Sequence, residues 1–192
     1  MASAFGHLAV AYALGQTIRP EWRSARFWWL TVACCLLPDA DVIGLMLGIP
    51  YEHVLGHRGL THSLFFAVIV GVLMPRLAIP DVALGSRAYG AFAVFFACVT
   101  MSHPIMDAMT DGGLGIAFFA PFDSHRYFFP WRPITVSPIG ITPFFSKWGL
   151  GVLWTELLWI GVPVCVWLAG ICVQRRVSRR NEGKWRDEEG SL

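Results

Sequence analysis

Charge is what this chain has least of. Only 15% of its 192 residues are Asp, Glu, Lys or Arg, while 55% are hydrophobic and 14% aromatic, and the mean hydropathy is +0.54. Soluble domains carry about 25% charged residues, so an ordinary soluble fold is excluded and one polytopic membrane domain is expected. Paired cysteines are missing as well. Cys34, Cys35, Cys98, Cys165 and Cys172 lie in apolar runs with no CxxC pair and no metal-like spacing, which leaves them as small packing residues. No basic n-region or cleavage site accompanies the first apolar segment, so it is not read as a signal peptide. There is no folded basic groove, which excludes nucleic acid as a partner. No inverted repeat relates the two halves, which argues against a transporter.

Apolar segments are what the chain does have. Ala4 to Leu14 is too short to cross a bilayer comfortably, where about twenty residues are needed. Phe27 to Leu37 breaks at Pro38, in LLPDADVIG, and resumes weakly to Leu47. Ser63 to Ile79 follows, then Tyr89 to Ser102 continuing helically to about Met109, then Leu150 to Val173. The fold class expected is an all-α polytopic helical bundle of about four to five membrane-embedded helices. A long aromatic, Pro- and Gly-rich outer loop, Asp111 to Trp148, joins the last two. Residues 1–173 form the membrane domain, and the charged tail 174–192 is expected to be disordered.

The few bases set an orientation. With the tail cytoplasmic, eleven of the fifteen Lys and Arg residues fall inside and only Arg58, Arg126, Arg132 and Lys147 outside, as the positive-inside rule requires. The same orientation gathers His7, Asp39, Asp41, His57, His62, His103 and Asp107 near the outer ends of their segments. Ionisable groups at membrane depth are costly and face a partner or an ion.

Their spacing has a chemistry. In SHPIMDAMTD, His103, Asp107 and Asp111 recur every four residues, which stacks them along one helix face. Imidazole and carboxylate held in this way suit a divalent metal, zinc above all. Asp39 and Asp41 sit where Pro38 interrupts a helix, and both can turn toward a cavity. In HVLGHRGLTHS, His57 and His62 flank a flexible turn at Gly59 that leads into a helix capped by Thr61 or Ser63. His53 is read as an interfacial residue.

The stretches GHLAVAYALG, LLPDADVI, HRGLTHSLFF, SHPIMDAMTDGGLGIAFFAPFDSHRYFFPWRPI and VSPIGI, in this order over about residues 1 to 172, resemble the YdjM-like family of bacterial inner-membrane proteins, predicted metal-dependent hydrolases. More distantly, the order His, Asp, His, then H-x3-D is similar to the zinc-dependent phospholipase C and single-strand nuclease superfamily. That resemblance implies that His7 shares a metal with Asp107. It also implies that Asp39 or Asp41, His57 or His62, His103 and Asp107 hold a neighbouring metal, so that one or two divalent ions are expected. The relatives' later H-x3-E has no match here, with His125 and Asp123 the only nearby substitutes.

The expected function is hydrolysis of a phosphate ester or lipid-type substrate by metal-activated water at the outer face of the inner membrane. Whichever of Asp39 and Asp41 is not a tight ligand serves as general base. Arg58, Arg126 and His125 are expected to contact the substrate, and Asp111 to support the ligands. Phe118, Phe119, Phe122, Tyr127, Phe128, Phe129 and Trp131 form either an interfacial belt or a substrate wall. The alternative is a small transporter or structural membrane protein whose His and Asp residues form an ion path or a closed metal site.

Overall fold

Five serines start five of the helices. In the computed structural model, which describes residues 1–189, Ser3, Ser24, Ser63, Ser86 and Ser146 each accept a hydrogen bond from a backbone N–H of the first turn they precede. Such caps contribute about 1 kcal/mol each. The helices they start are α1 (Ala4–Gly15), α2 (Ala25–Leu36), α4 (Leu64–Ala78), α5 (Arg87–Ala108) and α7 (Lys147–Glu156). Short α3 (Val42–Met46), short α6 (Ile141–Phe144) and α8 (Val162–Glu189) complete the set. Of the two capping residues the sequence offers for α4, Ser63 is the one used, bonding Phe66 N at 3.1 Å.

Three stretches are long and apolar enough to cross a membrane, Ala25–Met46, Arg87–Ala108 and Lys147–Ser178, with Ala4–Gly15 and Leu64–Ala78 as shorter apolar helices. The expected all-α membrane bundle is what forms, and the described residues contain no strand, only isolated bridges at Thr110–Ile134 and Ile116–Tyr127. Helix α5 is the central element: it packs on α1, α2 and α4, and half of its membrane window is buried against 11% for the last span. Around it Phe27, Phe92, Phe95, Phe96 and Val99 form the apolar core with Cys34 and Cys35. Only those two cysteines pack inside; Cys98, Cys165 and Cys172 are free and exposed on the bundle's outer surface.

The closest helix pair is α4 with α5, for a reason visible in the side chains. A Cβ added at Gly71 would lie 2.6 Å from Ala93 O and 2.6 Å from Ala97 Cβ. Lipid gives helices no hydrophobic reason to associate, so close approach of small residues supplies the packing. Gly71→Ala is therefore expected to lower stability by about 1–3 kcal/mol, read as an earlier unfolding transition in detergent. An unchanged transition would mean that the two backbones are free to separate.

Two interruptions place the site. Pro38 cannot donate to a helical carbonyl, so α2 ends at Leu36 and the chain tightens into a 3₁₀ turn over Leu37–Asp41 before α3. The last span changes register through a π turn at Leu157–Gly161, just after Glu156. By contrast α5 runs unbroken past Pro104. Helix α8 continues to Glu189, so the charged tail extends the last helix where the sequence predicts disorder; residues 190–192 of that tail lie outside the described residues.

Candidate metal centre

Asp39 comes from the 3₁₀ turn after α2, His62 from a short turn Leu60–His62 before α4, and His103 and Asp107 from successive turns of α5. Four of their atoms point at one another. His103 Nε2 is 3.3 Å from Asp39 Oδ1 and 4.0 Å from Asp107 Oδ2. His62 Nε2 is 3.7 Å from Asp39 Oδ1 and 3.8 Å from Asp107 Oδ2. All four atoms are buried without a hydrogen-bond partner, and all lie within 4.8 Å of one another. Buried polar atoms are rarely left unpaired. Ligands at about 2.0–2.1 Å from a tetrahedral zinc ion stand roughly 3.4 Å apart, so donor type and spacing both fit such an ion.

The opposite ring nitrogens explain why these atoms face inward. His103 Nδ1 is 2.8 Å from Cys35 O, a carbonyl of the last turn of α2, where carbonyls lose their intrahelical partners. A carbonyl can only accept, so Nδ1 carries the proton and Nε2 keeps its lone pair. His62 Nδ1 lies 3.0 Å from Asp41 Oδ2 in the same role. Metal-binding histidines are commonly oriented in this way by a carbonyl or carboxylate. Burial alone would lower the pKa of His62, but its contacts to Asp39 and Asp41 outweigh that and raise it to about 9.

Asp41 is engaged on both oxygens. Oδ1 faces His57 Nδ1 at 2.7 Å, and Oδ2 accepts from Arg58 N at 3.0 Å and from Thr61 Oγ1 at 2.7 Å. Asp41, His57 and His62 form a second group that could hold a metal, but these separations are hydrogen-bond lengths. His7, from α1, stacks on His103 with ring centroids 3.7 Å apart, and its Nε2 is 3.4 Å from Asp107 Oδ1. Ala2 N donates to that same oxygen at 2.6 Å, and the Met1 amine lies 4.0 Å from Asp107 Oδ2.

A family model described as YdjM inner membrane protein matches residues 1–178. The chain belongs to this family. It is also 31% identical over 180 residues to inner membrane protein YbcI of Escherichia coli (strain K12), covering 92% of this chain and 100% of that relative. No solved structure matches. Membership of the YdjM family, together with several apolar helices, makes this a multi-pass protein of the bacterial inner membrane.

The family's motifs do not all meet at the centre. Arg58, predicted to contact substrate, is wholly buried at a positive φ of 62°. Its Nε is 3.3 Å from Asp107 Oδ2, and its guanidinium donates to Gly112 O and Thr110 Oγ1 at 2.8 and 3.2 Å. It is a counter-ion inside the protein and has no free surface for a substrate. Arg126 is likewise occupied, donating to His57 O at 3.0 Å and Tyr51 O at 2.8 Å, which clamps the histidine loop. His125 is exposed and packs edge-on to Tyr127, while Asp123 accepts from its backbone N–H. Neither His125 nor Asp123 is among the residues grouped at the centre. Asp111 departs from the face of His103 and Asp107 because α5 has ended; its Oδ1 accepts from Val136 N at 2.7 Å and ties down the outer loop. Phe119, Phe122, Phe129 and Trp131 are exposed, as a belt requires and a closed wall does not.

One buried acid is absent from the sequence prediction. Glu156 accepts from the backbone N–H and the hydroxyl of Ser3, holding the start of α1 beside Asp107. A lone carboxylate in the apolar stretch LWTELLWI was the signal for it.

Proposed function

We propose that the protein is a membrane-embedded metal-dependent hydrolase, with zinc at the centre and a phosphate or lipid-type ester as substrate. The observation that supports this most is the convergence of four unpaired buried atoms, Asp39 Oδ1, His62 Nε2, His103 Nε2 and Asp107 Oδ2. Charge agrees with it. Of the three acids Asp39, Asp41 and Asp107, only Asp107 pairs with a guanidinium among the described residues, that of buried Arg58. A divalent cation balances the remainder.

A divalent ion bound there would supply a Lewis acid and lower the pKa of bound water toward neutrality. His62 and His103 would hold it through Nε2. Asp107 would complete the set, with Arg58 limiting the negative charge it presents. Asp39 is the ligand with an accessible side chain, 17% exposed against none for the other three. Its side is therefore the open approach to the centre, and Asp39 is the carboxylate that would take a proton from an attacking water. Asp41 orients His62 and His57 and stays out of the reaction.

A second reading has an observation of its own: four protein donors converge, the number that would fill a closed structural zinc site. Metal-loaded protein in detergent separates the two. Turnover of phosphate monoesters, phosphate diesters or carboxylic esters that disappears with a chelator and returns with zinc is the expected result. A stoichiometric metal with no turnover of any of these esters would overturn the hydrolase and leave the structural site.

A further inference from the structure

A large groove lies at the other end of the bundle. Arg175 follows Glu156 by nineteen residues along the last span, about 28 Å of helix rise. Between α8 and the Gln16–Pro20 segment after α1 is a groove of about 1020 Å³. A second, of about 350 Å³, adjoins it, and Gln16 and Arg175 line both. The floor of the larger groove is apolar, with Val162, Val166, Trp167 and Ile171, and its rim is basic, with Arg19 beside Arg175. Arg176 lines the smaller one.

Like charges meet at Gln16, which lines both grooves and which Arg23, itself lining neither, reaches from alongside. Arg175 donates to Gln16 O through Nη2 and reaches Gln16 Oε1 through Nη1 at 3.5 Å. Arg23 Nη1 donates to the same Oε1. Two guanidinium groups therefore meet on one neutral amide oxygen. Burial and then the neighbouring Arg175 lower the pKa of Arg23, and Arg23 Nε is a buried donor with no acceptor. Among the described residues neither Arg23 nor Arg175 pairs with a carboxylate; Arg19 reaches Glu21 at 4.0 Å, with both side chains well exposed. Guanidinium pairs of this kind match the oxygens of a phosphate.

We propose that this groove binds an anionic phospholipid, with its phosphate at Arg23 and Arg175 and its acyl chains along the apolar floors of the two adjoining cavities. A diacyl lipid fits the division of the space on either side of Gln16 and Arg175, and basic clusters at a membrane surface draw anionic headgroups. The site is independent of the metal centre.

The test is native mass spectrometry of delipidated protein offered equal amounts of phosphatidylglycerol and phosphatidylcholine. Phosphatidylglycerol is expected to be retained roughly tenfold over phosphatidylcholine. Arg23→Gln and Arg175→Gln are expected to abolish that preference, Arg23→Lys to keep most of it, and Arg87→Gln, at the start of α5, to leave it intact. Equal retention by the wild type, a preference unchanged in both glutamine variants, or an equal loss in Arg87→Gln overturns the proposal. So does displacement of the lipid by millimolar inorganic phosphate. Should Arg175→Gln fail to fold for want of its bond to Gln16 O, Arg23→Gln carries the test alone.

Discussion

Alanine in place of His103 is expected to abolish the divalent-metal binding proposed for the purified protein. The side chain contributes Nε2 to the convergent set, 3.3 Å from Asp39 Oδ1, and no other group on that turn of α5 can replace it. Loss of a group that merely orients a metal ligand costs 10–100-fold in affinity. Loss of the ligand itself is expected to exceed roughly 100-fold, read as metal content after dialysis against a chelator. Asp107→Asn should also lose the ion and in addition destabilise the fold. Its carboxylate is the partner of buried Arg58 at 3.3 Å, and breaking a buried pair costs about 3–5 kcal/mol. An ion retained at full stoichiometry in both variants would place the metal elsewhere and dismiss the centre described above.

Asp41→Asn should behave differently. Stoichiometry is expected to hold while affinity falls 10–100-fold, measured by competition with a chromophoric chelator. Asp41 accepts from Arg58 N and Thr61 Oγ1 and faces the Nδ1 atoms of His57 and His62. An asparagine has one acceptor oxygen, and its amide would present hydrogens to one of those donors. His62 would then lose the carboxylate that turns its Nε2 inward. Complete loss of metal would make Asp41 a direct ligand, and unchanged affinity would show that it orients nothing.

Much of the centre was legible in the sequence because its spacing is helical. The four-residue step from His103 to Asp107 survives Pro104, since a proline costs α5 one hydrogen bond without breaking it here. Pro38 marked the break in the second span. What spacing could not separate was Asp39 from Asp41. Around a 3₁₀ turn each residue advances by about 120°, so positions two apart face different ways. One acid therefore turns to His103 and the other to the His57–His62 loop. Arg58 was misassigned because its left-handed backbone conformation, which swings the side chain inward to Asp107, leaves no trace in the order HRG. Asp111 was misassigned because periodicity says nothing of where a helix stops, and α5 stops at Ala108. The contact of α4 with α5 rests on Gly71 meeting Ala93 and Ala97. Small residues in an apolar run mark a possible crossing without naming the helix that crosses it.

The two shorter helices beside the centre have a consequence for the lipid around them. Helix α1 has 12 residues and α4 has 15, so they rise about 18 and 22 Å against a hydrocarbon core of about 30 Å. A mismatch in this direction is relieved by local thinning of the bilayer. His7 lies in the first turns of α1, and His62 immediately precedes α4. A dimple in the membrane at these two helices would bring the headgroup layer toward the depth of His7 and His62, and under the proposed hydrolase reading an ester bond in a lipid would reach the centre without leaving the leaflet.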